Sequence, residues 1–164
     1  MSGVGHFKRM LAYEADAMAK AAASIDSIPV DRQGEAAATK ARGILAHVQS
    51  ARHVWLSRLG FIAPRSWEMF PDWTTAQTLT DAARLDADWS RYLATLQETE
   101  LDRRIEYRTL DGTAVSSTVA EILTHVFNHS TYHRGQVTLL VSQCGGQRAV
   151  TDFIAFSRVK AGVG

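Results

Sequence analysis

Thr124-His125-Val126-Phe127-Asn128-His129-Ser130-Thr131-Tyr132-His133-Arg134-Gly135-Gln136 places three histidines at steps of four. A step of four turns an α-helix by about 400° and advances it about 6 Å, so successive imidazoles stand about 40° apart on one face. Thr118-Val119-Ala120-Glu121 reads as a capping box that opens this helix, and Gly145-Gly146 closes it just after Cys144. An i, i+4 histidine pair can close on one ion. His125 and His133 stand about 12 Å apart along the axis, so all three cannot. The helix therefore offers His125/His129 or His129/His133, and His129 belongs to both pairs. A purely structural ladder is the alternative, but each buried imidazole would then need its own hydrogen-bond partners.

Three further amphipathic segments precede this helix. The first runs from about Gly5 to Ile28, with Phe7, Met10, Leu11, Met18, Ala21 and Ile25 on a stripe that Pro29 ends. The second runs from about Glu35 to Leu59, with Ala38, Ala41, Leu45, Val48 and Trp55 recurring at threes and fours before Gly60. The third runs from about Ala76 to Gln97, with Leu79, Ala82, Trp89, Leu93 and Leu96, and Asp86 lies within its stripe. Ile105 and Tyr107 alternate with polar residues ahead of Asp111-Gly112, a two-residue turn signal, which predicts a short hairpin. Asp152-Phe153-Ile154-Ala155-Phe156 predicts a short last helix. The expected fold is all-α: an up-down-type four-helix bundle with a hairpin-like insertion and a short C-terminal helix, residues 1–164 forming a single domain.

The connection after Gly60 is rich in apolar and aromatic residues, among them Phe61, Ile62, Trp67, Met69, Phe70 and Trp73. It reads as a lid packed on the bundle end, or more sharply as a cleft wall or subunit contact.

The third metal ligand must come from another segment. His47 is the best donor, beside Ile44, Val48 and Ala51 near the inward face of the second helix. His53 is six residues on, about 120° around the helix, and is expected at the surface or rim. His6 is expected to be exposed. Three imidazoles leave a coordination position open, as in catalytic sites. Imidazole suits Zn, Ni, Cu or Fe. Ligating histidines donate their second N–H to a carboxylate or carbonyl; Asp86 and Glu14, near inward stripes, are candidates for that role or for substrate contacts.

Composition excludes several classes. The 164 residues are 46% hydrophobic and 21% charged, with net charge +1 and scattered basic residues. No basic cluster tracks a phosphate backbone, so no nucleic-acid partner is expected. No apolar run approaches the roughly 20 residues that span a bilayer. No secretory signal is visible, and the expected compartment is the cytoplasm. Cys144 is the only cysteine, which excludes an internal disulfide or a CxxC motif.

The pattern His-x-x-Asn-His-x-x-x-His-Arg-Gly-Gln over 125–136 resembles the signature of the DinB family. Ile44-Leu45-Ala46-His47 with His53-Val54-Trp55-Leu56-Ser57-Arg58-Leu59 is similar to the family's second helix. Tyr92-Leu93, the stretch near Asp111-Gly112 and Thr151-Asp152-Phe153 also fit. The resemblance implies a four-helix bundle with a divalent metal, zinc or nickel foremost, held by His47, His129 and His133. It makes His125 a neighbouring or alternative ligand, and it implies a homodimer and a damage-inducible protein. It also points toward a metal-dependent transferase that activates a low-molecular-weight thiol against a small electrophile. The incoming thiol must be external, because Cys144 sits at a helix C-terminus, where the dipole disfavours a thiolate. The alternatives are a metal-dependent hydrolase with Asp86 as base, and a non-catalytic metal-binding stress protein with no cleft reaching the metal. Arg134 is a candidate substrate-capping or catalytic residue, or the member of a structural ion pair. Gly135 in mid-helix costs about 1 kcal/mol relative to alanine, which suggests close approach of another helix or subunit.

Overall fold

Four long helices form in the computed structural model, which describes residues 3–64, 66 and 68–158. They are α1 (Gly3–Asp26), α2 (Ala36–Arg58), α3 (Thr75–Thr95) and α4 (Val119–Gln143). An antiparallel hairpin of β1 (Arg104–Arg108) and β2 (Ala114–Thr118) lies between α3 and α4, and α5 (Phe153–Ser157) follows. The capping box at α4 is complete. Thr118 Oγ1 accepts the Glu121 N–H at 3.1 Å, and Glu121 accepts the Thr118 N–H at 2.7 Å. Gly145, at φ +75°, ends the helix in the left-handed conformation that a side chain would disfavour. A second box, Thr74 with Gln77, starts α3.

Contacts between helices fix their directions. Phe7 stacks on Phe127 and Glu14 pairs with Arg134, so α1 and α4 run parallel. His47 meets His129 and His133 while Trp55 meets His125, so α2 runs antiparallel to α4. Asp26 accepts from Thr75 while Glu98 accepts from the Val4 N–H, so α3 runs antiparallel to α1. The helices therefore run up, down, down, up. α1 and α2 touch little and occupy diagonal corners, with α3 and α4 packed between them. Because α2 and α3 point the same way, the 59–74 connection must travel back along the bundle.

The core has two apolar clusters. One gathers Phe7, Leu11, Leu56, Trp89, Leu93, Ile122 and Phe127. The other gathers Met18, Ile25, Leu45, Val48, Val137 and Val141. Between them lies a polar layer to which every long helix contributes: Glu14, Gln49, Arg52, Asp86, Ser130 and Arg134. Buried polar groups demand partners, and the layer supplies two ion pairs, Arg134 with Glu14 and Arg52 with Asp86.

Two local expectations change. The hairpin loop is five residues, 109–113, rather than a two-residue turn. Thr109 and Asp111 side chains bind Thr113 across it, and Gly112 at φ +86° allows the wider path. His53 is buried, not at the rim. The reason is that α2 packs on both α3 and α4, so its buried arc is wider than one stripe. His6 is exposed, as expected.

Candidate metal centre

α4 presents His129 and His133 one turn apart, and α2 brings His47 across from them. Their ligand atoms all lie within 4.8 Å of one another. Nε2 of His129 stands 3.3 Å from Nε2 of His47 and 3.1 Å from Nε2 of His133. A tetrahedral ion with Zn–N bonds of about 2.0–2.1 Å holds its nitrogens about 3.3–3.4 Å apart. Both observed separations suit that geometry.

The outer ring nitrogens decide which atoms face inward. Nδ1 of His47 donates to the Met69 carbonyl at 2.6 Å, since a carbonyl only accepts. Nδ1 of His133 donates to Gln136 Oε1 at 3.0 Å. The orienting partners are thus a loop carbonyl and an amide on the same helix. Asp86 and Glu14 do not fill this role, because each is claimed by an arginine in the polar layer.

With both Nδ1–H groups committed, His47 and His133 turn Nε2 lone pairs toward His129 Nε2. A shared proton satisfies one of these contacts; a divalent cation satisfies all three rings. The donor set therefore fits a metal. Electrostatics agree, since ligands must be unprotonated. His129 is pushed down to about 3, first by burial and then by His133, His47 and His125. His47 is also lowered, chiefly by burial, against the opposing pull of the Met69 carbonyl.

His125 stays outside the group. Its ring centroid lies 5.4 Å from that of His129 and 5.1 Å from that of Trp55. Arg134 is fully buried on Glu14 at 2.6 Å, with its guanidinium over the Tyr13 ring, so it braces α4 against α1. Among the described residues, nothing lies within 4 Å of where a side chain at Gly135 would begin, so no described helix of the same chain accounts for that glycine.

The 59–74 connection walls the site. Phe70 stacks on the His47 ring at 4.5 Å, and Met69 supplies both its carbonyl and part of a cleft. Trp67 lies outside the described residues, and Trp73 sits elsewhere, with Asp26, Arg42 and Thr75. The cleft, about 660 Å³, runs from His47 and His129 past Val54, Trp55 and Arg58 to the hairpin. Met69 fits the reading of the aromatic connection as a cleft wall, whereas the hairpin's share of the lining, Tyr107 and Thr109 to Asp111, is not legible in the sequence because it depends on where the hairpin folds back.

A four-helix bundle with a small hairpin, converging three imidazoles beside an open cleft, defines the class. The DinB family model matches residues 1–161, and the chain belongs to that family. It is 34% identical to Protein DinB of Bacillus subtilis (strain 168) over 121 residues, covering 66% of this chain and 69% of that protein. In fold it is similar to a DinB-like protein of Bacillus cereus ATCC 10987, whose crystal structure superposes with a TM-score of 0.67. That likeness covers 88% of this chain and 94% of the other at 18% identity. Among the described residues, no helix is long and apolar enough to cross a membrane.

Proposed function

We propose that this chain binds one divalent metal ion, zinc or nickel, through His47, His129 and His133, and transfers a low-molecular-weight thiol onto a small electrophile. The observation that carries the reading is the convergence of three Nε2 atoms, two of them on rings whose tautomers are fixed from outside, at the end of an open cleft. The chemistry a bound divalent cation supplies is Lewis acidity, which lowers the pKa of a coordinated thiol toward neutrality. The chain's own residues do the rest. Met69 and Gln136 hold two imidazoles in the ligating tautomer, Phe70 shields one side of the His47 ring, and the aromatic cleft wall receives the electrophile.

Cys144 is fully buried, with its thiol pushed up by that burial, so the nucleophile comes from outside. Hydrolysis has less support: Asp86 is tied to Arg52, and among the described cleft-lining residues Asp111 is the only carboxylate. The open cleft also weighs against a purely storage or structural role. The partner surface we assign is a homodimer contact on α4, where Tyr132, Gly135 and Leu139 are all exposed.

The test is an assay of several cellular thiols against model electrophiles, with metal-loaded and chelator-treated protein. Thiol conjugates that form only with metal, and that vanish in His129→Ala, are expected. No metal-dependent conjugate with any thiol overturns the transferase reading.

A further inference from the structure

Arg58 is the charged group in the cleft that the metal centre leaves unused. His47, Ala51, Val54, Trp55 and Arg58 follow at spacings of four, three, one and three, so one face of α2 forms the cleft floor from the triad to Arg58. That floor spans about 16 Å of helix axis. At its far end the guanidinium lies 4.7 Å from the Trp55 ring and 4.8 Å from the Tyr107 ring. Its Nη2 donates to the Arg108 carbonyl at 2.9 Å. Among the described residues, no carboxylate pairs with Arg58, and its Nε and Nη1 groups have no acceptor. Asp111, the other charged residue at this mouth, is engaged by Thr109 and Thr113 of its own loop. Among the described residues, the two fully buried arginines, Arg52 and Arg134, each have an acidic partner. A half-buried, aromatic-flanked guanidinium with free donors suits a planar anion delivered from solution.

We propose that Arg58 is the anion-recognition residue of the cleft, and that its ligand is an elongated small molecule carrying a carboxylate. The carboxylate docks on the Arg58 fork. An apolar or aromatic middle lies along Val54 and Trp55, and the opposite end reaches His47 and His129. This inference rests on the cleft being a small-molecule site, as the proposed function requires, but not on any thiol chemistry.

The test compares 4-phenylbutyrate with its uncharged isostere 4-phenylbutanamide by chemical-shift titration. Wild-type protein is expected to bind the carboxylate at least tenfold more tightly, both metal-loaded and after chelation. Arg58→Gln is expected to bind the two equally. Because Arg58 also holds the hairpin through Arg108, Arg58→Lys is measured as well. It keeps the cation without the planar fork and is expected to retain a reduced preference. A wild type without preference overturns the assignment, as does a preference that survives Arg58→Gln. Loss of all preference in Arg58→Lys, or on chelation, overturns it equally. Failure of thiol transfer with the preference intact refutes only the transferase reading.

Discussion

Replacing Glu14 with glutamine strands a charge in the middle of the bundle. Arg134 and Glu14 side chains are both 0% exposed and meet at 2.6 Å. Among the described residues, Arg134 also donates to Thr131 at 3.1 Å and rests on the Tyr13 ring, neither of which carries a compensating charge. A guanidinium cannot shed its proton, so glutamine leaves a buried cation facing a neutral amide. Breaking such a pair from one side costs about 3–5 kcal/mol, a large share of the roughly 5–15 kcal/mol that holds a domain folded. The pair is also incompletely satisfied. Among the described residues, Glu14 Oε1 and Arg134 Nε have no hydrogen-bond partner, so the attraction does not recover the full desolvation cost. Glu14→Leu with Arg134→Met is therefore expected within about 1 kcal/mol of wild type, or above it. Urea unfolding followed by far-UV circular dichroism measures both, on chelated protein so that metal binding does not shift the midpoint. A Glu14→Gln loss under about 1 kcal/mol, or a double variant as damaged as the two singles combined, refutes the reasoning.

Four other outcomes follow from the site and the surface. His129→Ala is expected to abolish stoichiometric zinc by elemental analysis while His125→Ala keeps it; metal retained by His129→Ala would exclude the triad. Gln136→Leu removes the acceptor of His133 Nδ1–H, and a 10–100-fold weaker zinc affinity is expected in a chelator competition; unchanged affinity would remove Gln136 from the site. In metal-free protein, the unfolded chain takes up protons below the ordinary histidine pKa of about 6.5 that His129 refuses until about pH 3. Stability therefore rises with pH across that window and gains nothing further from this group above it; a urea midpoint that does not fall between pH 7 and pH 5 contradicts this. If the proposed α4 contact holds, wild type sediments as a dimer and Leu139→Glu as a monomer; a monomeric wild type, or a dimer that persists in the variant, overturns that contact.

The legible parts of this chain are those decided over one or two helical turns. Thr118, Glu121 and Gly145 announce the ends of α4 because caps are local chemistry. The spacing of His125, His129 and His133 showed that one helix offers a pair, but not which pair. That choice depends on the height at which antiparallel α2 crosses α4, which sets His47 against His129 and His133 and leaves Trp55 beside His125. The burial of His53 is not legible from a single apolar stripe, because α2 has packed neighbours on two sides. The acceptor for His47 was invisible for a different reason. A main-chain carbonyl has no letter in the sequence, and the position of Met69 O comes from the route of the whole connection.

That carbonyl carries an evolutionary corollary. Since the backbone of residue 69, and not its side chain, steadies His47, the amino acid there is free to drift without disturbing the ring. Loop length is not free. One residue inserted or deleted between Leu59 and Thr74 would slide the oxygen off its target, so relatives that keep this centre should tolerate substitution at position 69 far better than gaps around it.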